Sequence, residues 1–506
     1  MMTGGNIAAE FHAAAIDRLE APFLLDGKRT WTYGEFFDQV RVFAAALVDA
    51  GAQPGDRVLV QVEKSPEAVA LYLACLWAGA VHVPLNPAFT TDERRYFNDD
   101  AEPAVIVVDP SMAEDPTWLT LDPDGGGSLA RRTVVAPVTE PVERSDDDLA
   151  AILYTSGATG RPKGAALTHE GLRANAHALH DTWHFTPDDH LIHGLPIFHV
   201  HGLFVALHCA LLSAIPVTFL RRFDVDAVLD GFAKGTVFMG VPTHYARLCA
   251  SPRLTAERCA SMRLFTCGSA PLTEPAFAAF TDRTGHRICE RYGMSETGIT
   301  TSNPYDGDRI AGTVGYALPG VEARIVDTNG ADVAAGEVGV VAIRSRQVMR
   351  EYWRRPDATA DAYTDDGWFV TGDIATMATD GRITLQGRAS DMIISGGENI
   401  YPKEIELVLD EIDGVTESAV IGLPDPDFGE QVVAVLVCEG TPLGDADIRP
   451  ALDTALARFK HPRRIEVIDE LPRKRWARSK KACCANAMRR PTLADSAERA
   501  AAAPSP

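Results

Sequence analysis

The feature that most constrains the fold of this 506-residue chain is the alternation of short apolar segments with helical patterns. Val58–Val62, Ala80–Leu85 and Val105–Val108 are predicted as strands, and Pro66–Ala78 is predicted as a helix between the first two. Alternation of this kind is typical of βαβ units, which build a mainly parallel sheet. The sequence therefore predicts an α/β fold with mainly parallel sheets and helices in a large N-terminal domain, residues 1–387.

The pattern changes near Gly387-Arg388, where a second and smaller unit is predicted to begin. Beyond that point the sequence predicts two helices and two strands, which are Pro402–Asp410, Asp447–Arg458, Ala419–Ile421 and Val432–Val437. The prediction is a small mobile α+β domain over residues 391–472. A hinge at residues 388–390 precedes it, and an atypical tail at residues 473–506 follows it.

A glycine-rich stretch between two apolar segments is the first candidate binding site. It runs from Tyr154 to Gly164, directly after a predicted strand at Leu149–Leu153. Glycines let the backbone turn tightly, and successive N–H groups beside a lysine form a concavity that suits polyphosphate. The residue order is not that of a Walker A loop, and a flexible surface loop is the alternative interpretation. The candidate phosphate-binding residues are Thr155, Ser156, Gly157, Thr159, Gly160 and Lys163.

A second block, Glu290 to Thr297, and the short segment Thr371-Gly372-Asp373 supply further candidates. Tyr292 offers a flat face for a base, and the glycine after it allows a ligand to approach closely. Glu296 is a candidate ligand for Mg²⁺, which prefers oxygen donors and substrate phosphates. Asp373 follows a tight turn and suits a ribose diol. Taken alone, the first block is equally consistent with a loop that carries one surface carboxylate.

The stretch from Asp391 to Glu406, preceded by Gly387-Arg388, completes a set of four blocks. In residues, order and spacing these blocks resemble the acyl-adenylate-forming superfamily of acyl-CoA synthetases, peptide-synthetase adenylation domains and luciferases. One departure is Ala158, which stands where that family usually has threonine. The resemblance implies a two-step reaction. ATP and a carboxylate give an acyl-adenylate and pyrophosphate, and a thiol, usually that of coenzyme A, then displaces AMP.

The resemblance also implies a role for each matching residue, with ATP, Mg²⁺ and coenzyme A as the reactants and cofactor. The metal would be held by Thr155 and Glu296. Catalytic roles are implied for Lys163, His199, Glu296, Thr297 and Arg478. Contacts with coenzyme A are implied for Ser395, Gly396 and Gly397. Besides the phosphate loop, contacts with ATP or AMP are implied for Ser269, Ala270, Pro271, Glu290, Arg291, Tyr292, Gly293, Met294, Thr297, Asp373 and Arg388.

Two residues favour a short dicarboxylic acid over a fatty acid as the substrate. Arg291 stands where many relatives carry a small residue, and a cation is what the far carboxylate of a diacid needs. His201 places a polar ring where long-chain enzymes tend to be apolar. Wider segments resemble malonyl-CoA synthetases, which implies that Arg291 binds the distal carboxylate with Ser269 and His201 beside it. Methylmalonate is a further expected substrate, because one methyl group discriminates by only about 1–3 kcal/mol.

Alternatives stay open for these residues and for the reaction. Arg291 could instead pair with Glu290 or another acid, and His201 could be a hydrogen-bonded core histidine. Within the class, the rivals are a CoA ligase for another short acid and an adenylation enzyme that loads a separate carrier protein. A rival of another class is a nucleotide-binding relative with impaired adenylation.

The tail departs from the family's pattern. The resemblance requires a Gly-Lys pair after Leu471-Pro472-Arg473, whose lysine bridges the acid and the α-phosphate, but Ala477-Arg478 occupy that place. Arginine does not replace lysine as a compact charge donor. Codons can be chosen for Trp476 through Met488 such that a second reading frame, which starts at the third base of each codon, also encodes a meaningful sequence. That sequence is Gly-Lys-Val-Gln-Lys-Ser-Val-Leu-Arg-Glu-Arg-Tyr, and it resembles the expected ending.

Loss of one base in an Asn codon after Arg473 would therefore produce the given tail. The hypothesis is that residues from about Lys474 onward are out of frame, by mutation or by sequencing error. One alternative is that Lys480 or Lys481 substitutes for the missing lysine. The other is that the tail is a basic targeting segment.

Composition narrows the partners and the compartment. A net charge of −22 argues against a nucleic-acid partner, because phosphate backbones need a basic face. The apolar runs are interrupted and short for a membrane span, and no signal peptide is visible. The nine cysteines lack metal-ligand spacing, which favours free thiols in a reducing compartment. The expectation is a cytoplasmic enzyme with small-molecule substrates and no fused carrier domain.

Overall fold

A computed structural model describes residues 5–132, 138–155, 162–395, 398–400, 402–425, 429–440, 443–456 and 458–471. The α-helices within these ranges are α1 Ile7–Ala15, α2 Tyr33–Asp49, α3 Pro66–Trp77, α4 Thr91–Ala101, α5 Ser128–Arg131, α6 His169–Thr182, α7 His208–Ser213, α8 Val225–Gly231, α9 Pro242–Ala250, α10 Glu274–Thr284, α11 Pro356–Ala360, α12 Pro402–Asp410 and α13 Asp445–Ala455. A π-helix, His201–Leu207, runs directly into α7.

The strands of the first half are β1 Pro22–Leu25, β2 Thr30–Thr32, β3 Arg57–Gln61, β4 Val81–Pro84, β5 Val105–Val108, β6 Leu119–Thr120, β7 Leu149–Thr155, β8 Lys163–Thr168, β9 Leu191–His193, β10 Val217–Phe219, β11 Val237–Gly240 and β12 Leu264–Cys267. Those of the second half are β13 Cys289–Met294, β14 Gly298–Ser302, β15 Tyr316–Ala317, β16 Val321–Val326, β17 Val338–Ser345, β18 Glu351–Tyr352, β19 Phe369–Met377, β20 Ile383–Arg388, β21 Ile393–Ser395, β22 Glu398–Ile400, β23 Val415–Asp425, β24 Gly429–Cys438 and β25 Arg464–Val467.

Local sequence explains where the long helices begin. The Thr32 hydroxyl accepts from the Glu35 amide, and the Glu35 carboxylate accepts from the Thr32 amide, so a capping box starts α2. The Ser65 hydroxyl accepts from the Ala68 amide and so caps α3, and Pro66 occupies the first helical position. All residues of α3 except Glu67 are buried. This helix therefore lies inside the core rather than on the surface.

Two large sheets form the N-terminal part. The first has nine strands in the order β15-β14-β13-β12-β11-β9-β10-β1-β2, and its centre, from β13 to β1, is parallel. The second has seven strands in the order β18-β8-β7-β4-β3-β5-β6, with β8 and β18 as antiparallel additions. One continuous apolar core contains residues of both sheets and of α2 and α3. The predicted α/β fold with a large domain of mainly parallel sheets is confirmed.

Two smaller sheets follow. The strands β16, β17, β19 and β20 form an antiparallel sheet, and β21 to β25 form another sheet with its own apolar core around Ile405, Leu409 and Leu436. The proposed domain boundary near residue 388 lies between them, because β20 ends at Arg388 and β21 begins at Ile393. The smaller C-terminal α+β unit agrees with the predicted fold class.

Residues 110–148 are rich in Asp, Pro, Gly and Thr, which predicts a loose connection, and the structure corrects this expectation. Within that stretch, β6 adds to the edge of the seven-stranded sheet and α5 packs beside it. Both elements are very short, so their sequence carries little periodic signal.

Candidate active site

The glycine-rich stretch connects two strands that pair with each other. β7 and β8 are antiparallel, and their register places Thr155 opposite Lys163. The two ends of the loop are therefore fixed by the sheet. Four of the predicted phosphate-binding residues lie outside the described residues: Ser156, Gly157, Thr159 and Gly160.

Glu296 lies beside the two ends of this loop. Its Oε1 accepts hydrogen bonds from the Thr155 hydroxyl and from the Tyr352 hydroxyl, each at 3.1 Å. Only 5% of Glu296 is exposed, and burial raises its pKa. The Lys163 ammonium lies 5.0 Å from the centre of the Tyr352 ring. The structure thus brings a hydroxyl, a carboxylate and a lysine together at one point.

These groups fit a magnesium ion that is held mainly by a substrate. Mg²⁺ keeps several waters and is usually bound through one or two carboxylates and phosphate oxygens. Glu296 and Thr155 would supply the protein oxygens, and the bound metal would neutralise phosphate charge. Among the residues that the structure describes, no group of three or more His, Cys, Asp and Glu side chains could hold a metal alone.

A second group lies at the start of the predicted hinge. The Tyr292 hydroxyl donates to Asp373 Oδ2 at 2.6 Å, and Arg388 Nε lies 3.0 Å from Asp373 Oδ1. Asp373 and Arg388 are paired residues of β19 and β20. The arginine is about half exposed, whereas the tyrosine and the aspartate are buried. This arrangement agrees with a ribose site next to a ring that can cover a base, although the assignment stays a prediction.

The turn after Tyr292 is tightly packed. A Cβ at Gly293 would lie 2.0 Å from the Gly298 carbonyl oxygen, so only glycine fits there. Thr297 is fully buried, and its hydroxyl donates to Gly298 O at 3.0 Å and accepts from the Met294 amide at 3.4 Å. Its hydroxyl is therefore used within the turn, and a catalytic role for Thr297 stays a prediction.

Glu290 and Arg291 do not form an ion pair. They are neighbours on β13, and successive side chains of a strand point to opposite faces. Glu290 accepts from the Gly312 amide at 3.0 Å, and burial raises its pKa to about 8. The structure thus answers one open alternative, because Arg291 turns away from its acidic neighbour.

Arg291 is a buried cation with unused donors. It is 3% exposed, and its Nε and one Nη have no hydrogen-bond partner among the described residues. Burial lowers its pKa to about 10. A Cβ at Gly268 would lie 2.6 Å from the Arg291 guanidinium, so the absence of a side chain at 268 makes room for it. A buried charge without a partner is costly, and an anionic ligand would satisfy it.

The other two predicted carboxylate residues lie next to this cation. Ser269 follows Gly268, and its hydroxyl lies 3.4 Å from Nδ1 of His201. His201 is buried, its Nε2 has no partner among the described residues, and its pKa is well below the usual range because of burial and the nearby Arg291. The ring is therefore neutral near pH 7. Ser269 has a φ of 69°, a left-handed conformation that is uncommon for residues other than glycine.

A cavity of about 260 Å³ adjoins the loop that carries His199. Its lining includes Lys64, Pro196, Phe198, Arg221 and His244. His199 is exposed, and its ring lies 4.3 Å from that of Phe198. The cavity lies where strand ends of the two large sheets face each other.

The remaining predicted residues are not joined to this group by any described contact. Ala270 and Pro271 are exposed after Ser269, and Ser395 is buried at the end of β21. The predictions for Gly396, Gly397 and Arg478 lie outside the described residues.

Sequence reasoning missed three residues of the site. Tyr352 contacts both Glu296 and Lys163, and Lys64 and His193 form a buried pair at the cavity. The aromatic and basic run Tyr352-Trp353-Arg354-Arg355 was a usable signal. Lys64 and His193 gave no such signal, because each is a single residue outside any basic or aromatic run.

Comparison with known families agrees with this geometry. The family described as AMP-binding enzyme matches residues 11–353, and its C-terminal domain matches residues 404–478. The chain belongs to the AMP-binding enzyme family. The predicted resemblance to acyl-adenylate-forming enzymes is confirmed, and so is the prediction that the protein is an enzyme.

Individual relatives of this AMP-binding enzyme cover most of its length. A probable CoA ligase of Humulus lupulus is 35% identical over 83% of this chain and 77% of its own. The mitochondrial malonate–CoA ligase of Mus musculus is 33% identical over 95% of this chain and 90% of its own. The crystal structure of ATP-bound MatB from Rhodopseudomonas palustris has a TM-score of 0.90 and 45% identity, and covers 95% of this chain and 98% of that one.

Proposed function

We propose that this AMP-binding enzyme joins malonate to coenzyme A through a malonyl-adenylate, with release of pyrophosphate and then AMP. Methylmalonate is expected as a second substrate, because a single methyl group is a weak discriminator. The observation that carries the proposal is Arg291, a fully enclosed cation that has unused donors and lies beside a neutral histidine and a serine. The malonate–CoA ligase among the relatives supports the same acid.

In the first step, one carboxylate of malonate attacks the α-phosphorus of ATP. The bond to pyrophosphate breaks, and the new bond joins the acid to AMP. Arg291 would hold the far carboxylate, with donors from Ser269 and from Nε2 of His201 beside it. Lys163 would neutralise phosphate charge as it shifts onto pyrophosphate. Asp373 has oxygens that can accept from ribose hydroxyls.

In the second step, the thiol of coenzyme A loses its proton and attacks the malonyl carbonyl carbon. The carbon–oxygen bond to AMP breaks, AMP leaves as the anion, and a thioester forms. Movement of the C-terminal domain about residues 388–390 would open the thiol path, in keeping with the predicted contacts of Ser395, Gly396 and Gly397. No described helix is both long enough and apolar enough to cross a bilayer. A cytoplasmic location is part of the proposal.

The first test is malonate-dependent release of AMP and pyrophosphate from ATP by the natural gene product. Dependence on coenzyme A separates a CoA ligase from an enzyme that loads a carrier protein. ATP binding without pyrophosphate release for any short acid would indicate the non-catalytic relative instead. Activity with butyrate equal to that with malonate would contradict the diacid assignment.

The Arg291→Ala variant is expected to lose kcat/KM for malonate by about 100-fold or more, because the far carboxylate loses a charged hydrogen-bond pair. Affinity for ATP should change little, and the already low activity with butyrate should not fall further. Arg131→Ala, at an exposed position on α5, is the matched control. Equal losses for malonate and butyrate would contradict the role of Arg291.

A further inference from the structure

Lys64 is a buried lysine whose described contacts include no carboxylate. It follows β3 in the seven-stranded sheet and reaches the carboxyl ends of β9 and β10 in the nine-stranded sheet. Its ammonium donates to His193 Nδ1 at 2.7 Å, to His193 O at 3.1 Å and to Leu220 O at 2.6 Å. All three N–H groups are therefore used, and the lysine joins the two sheets at one point.

The hydrogen-bond partners of His193 decide which of its nitrogens carries a proton. The carbonyl oxygen of Gly202 can only accept, so Nε2 bears the hydrogen and Nδ1 is the acceptor for Lys64. Nε2 lies 2.9 Å from the carbonyl oxygen of Gly202 and donates to it. The ring also stacks on Phe219, with 9° between the planes. Lys64 thus contacts, through Nδ1, the same ring that donates to Gly202 through Nε2.

Gly202 lies in the first turn of the π-helix, directly after His201. Its surroundings are narrow, because a Cβ at this position would lie 2.0 Å from the carbonyl oxygen of Pro196. A π-helix is rare and is found frequently at functional sites. The bond from His193 holds the turn that carries His201 against Ser269.

We propose that Lys64 and His193 are positioning residues of the carboxylate site: together they hold the first turn of the π-helix so that His201 stays beside Ser269 and Arg291. The inference rests on the proposed function, because it assigns these residues to binding of the diacid. Neither residue needs to touch the acid. Their effect should appear in the affinity for malonate and not in the affinity for the nucleotide.

Malonate binding by isothermal titration calorimetry, with AMP present, tests this on the full chain. This readout does not require adenylation and is therefore independent of the tail. Lys64→Met keeps the length of the side chain and removes its donors. We expect the Kd for malonate to rise about tenfold, the effect of one lost charged hydrogen bond, while the Kd for AMP changes by less than about twofold. Lys234→Met, at an exposed position, is the matched control.

A pair of substitutions at His193 separates positioning from general packing. The amide of His193→Gln can still donate to Gly202, whereas His193→Leu cannot. The glutamine variant should keep a Kd for malonate near that of the parent, and the leucine variant should match Lys64→Met. This conservative rescue would not occur if the histidine only filled space.

Several results would overturn the inference. Equal changes in the Kd values for malonate and AMP would do so, as would a glutamine variant as weak as the leucine variant. If Lys64→Met and His193→Leu both fail to fold, the pair is structural. A parent protein that binds AMP but no malonate overturns the proposed function itself. A parent that binds malonate, with variants that bind it equally well, overturns only this inference.

Discussion

Glu290 is a single buried carboxyl group that links the stability of the fold to pH. Its Oε1 accepts from the Gly312 amide, and burial raises its pKa from 4.5 to about 8. The folded protein therefore holds this proton more tightly than the unfolded chain does. The stabilisation that comes from holding this proton is complete below the pKa of the unfolded chain. It decreases as pH rises from that value and is lost above about pH 8.

The Glu290→Gln variant is expected to gain stability relative to the parent as pH rises from about 5 to 8. The amide oxygen can still accept from Gly312, but the side chain cannot ionise. Because proton binding is linked to folding, the free energy of unfolding changes by at most about 1.4 kcal/mol for each pH unit between the pKa values of the unfolded and folded states.

Melting temperatures of both proteins across that pH range measure the effect. Glu257→Gln, at an exposed position, is the control for the substitution itself. Parallel curves for Glu290→Gln and the parent would contradict a raised pKa at this residue.

Some residues of the candidate site could be identified from the sequence, and others could not. Arg291 and Glu296 could be selected because they lie in a long motif with a chemical rationale. Lys64 could not, since its burial depends on β9 and β10, which lie more than a hundred residues later in the chain. The pairing of Arg291 with Glu290 also stayed open until the strand assignment showed that the two side chains point apart.

At the scale of secondary-structure elements, the regular periodicity of apolar residues was sufficient to predict much of the fold. Val105–Val108 and Pro402–Asp410 have the predicted bounds, and the other predicted strands before residue 110 differ from the structure by one or two residues. The antiparallel sheet of β16, β17, β19 and β20 was not predicted, because its alternating strands are only partly buried. The π-helix was not predicted either, because its sequence, which is apolar after His201, suits an α-helix equally well.

Strand register explains how Gly268 and Arg291 come together at the proposed acid site. β12 and β13 are parallel, and Cys267 is the partner of Glu290. The next residues along the two strands are Gly268 and Arg291, so the register itself brings the glycine against the guanidinium. A side chain at 268 would occupy the space that the arginine fills.

Gly268→Ala is therefore expected to weaken malonate binding without removing any charge. Its φ does not lie in the left-handed region, so alanine fits the backbone, but the new Cβ would lie 2.6 Å from the Arg291 guanidinium. We expect kcat/KM for malonate to fall about tenfold or more, because a small misplacement of a binding group is costly.

Gly444→Ala is the control, since its Cβ would make only an ordinary 3.7 Å contact with Asp447. The two variants should have similar melting temperatures. Unchanged kinetics in Gly268→Ala would show that Arg291 does not need its present position.

At the scale of the whole molecule, the ends of the predicted phosphate loop and the proposed carboxylate-binding arginine lie on different sheets. Thr155 and Lys163 belong to the seven-stranded sheet, and Arg291 belongs to the nine-stranded sheet. The proposed hinge begins at Arg388, which is ion-paired with Asp373 at the predicted ribose site. Arg388 would therefore take part both in nucleotide binding and in the rotation of the C-terminal domain.

The tail gives a prediction for the complete reaction. A protein with the given tail should be impaired in malonate-dependent pyrophosphate exchange by roughly 100-fold or more, because a charge donor at the α-phosphate is missing. It should still form malonyl-CoA from supplied malonyl-adenylate. Restoring the alternative frame after Arg473 should recover the first step.

The intact mass of the natural protein, with the gene resequenced across Arg473, shows which ending exists. Full pyrophosphate exchange with the given tail would mean that Lys480 or Lys481 acts in place of the missing lysine. Replacing both with methionine would then abolish the exchange.

The contact between Gly268 and Arg291 also sets an order for changes of substrate during evolution. A descendant that loses Arg291 leaves space at position 268, where larger residues then become acceptable. Once such a residue is present, an arginine regained at 291 is displaced from its present position. Loss of diacid use is thus a single step, whereas full recovery after a change at 268 needs two substitutions.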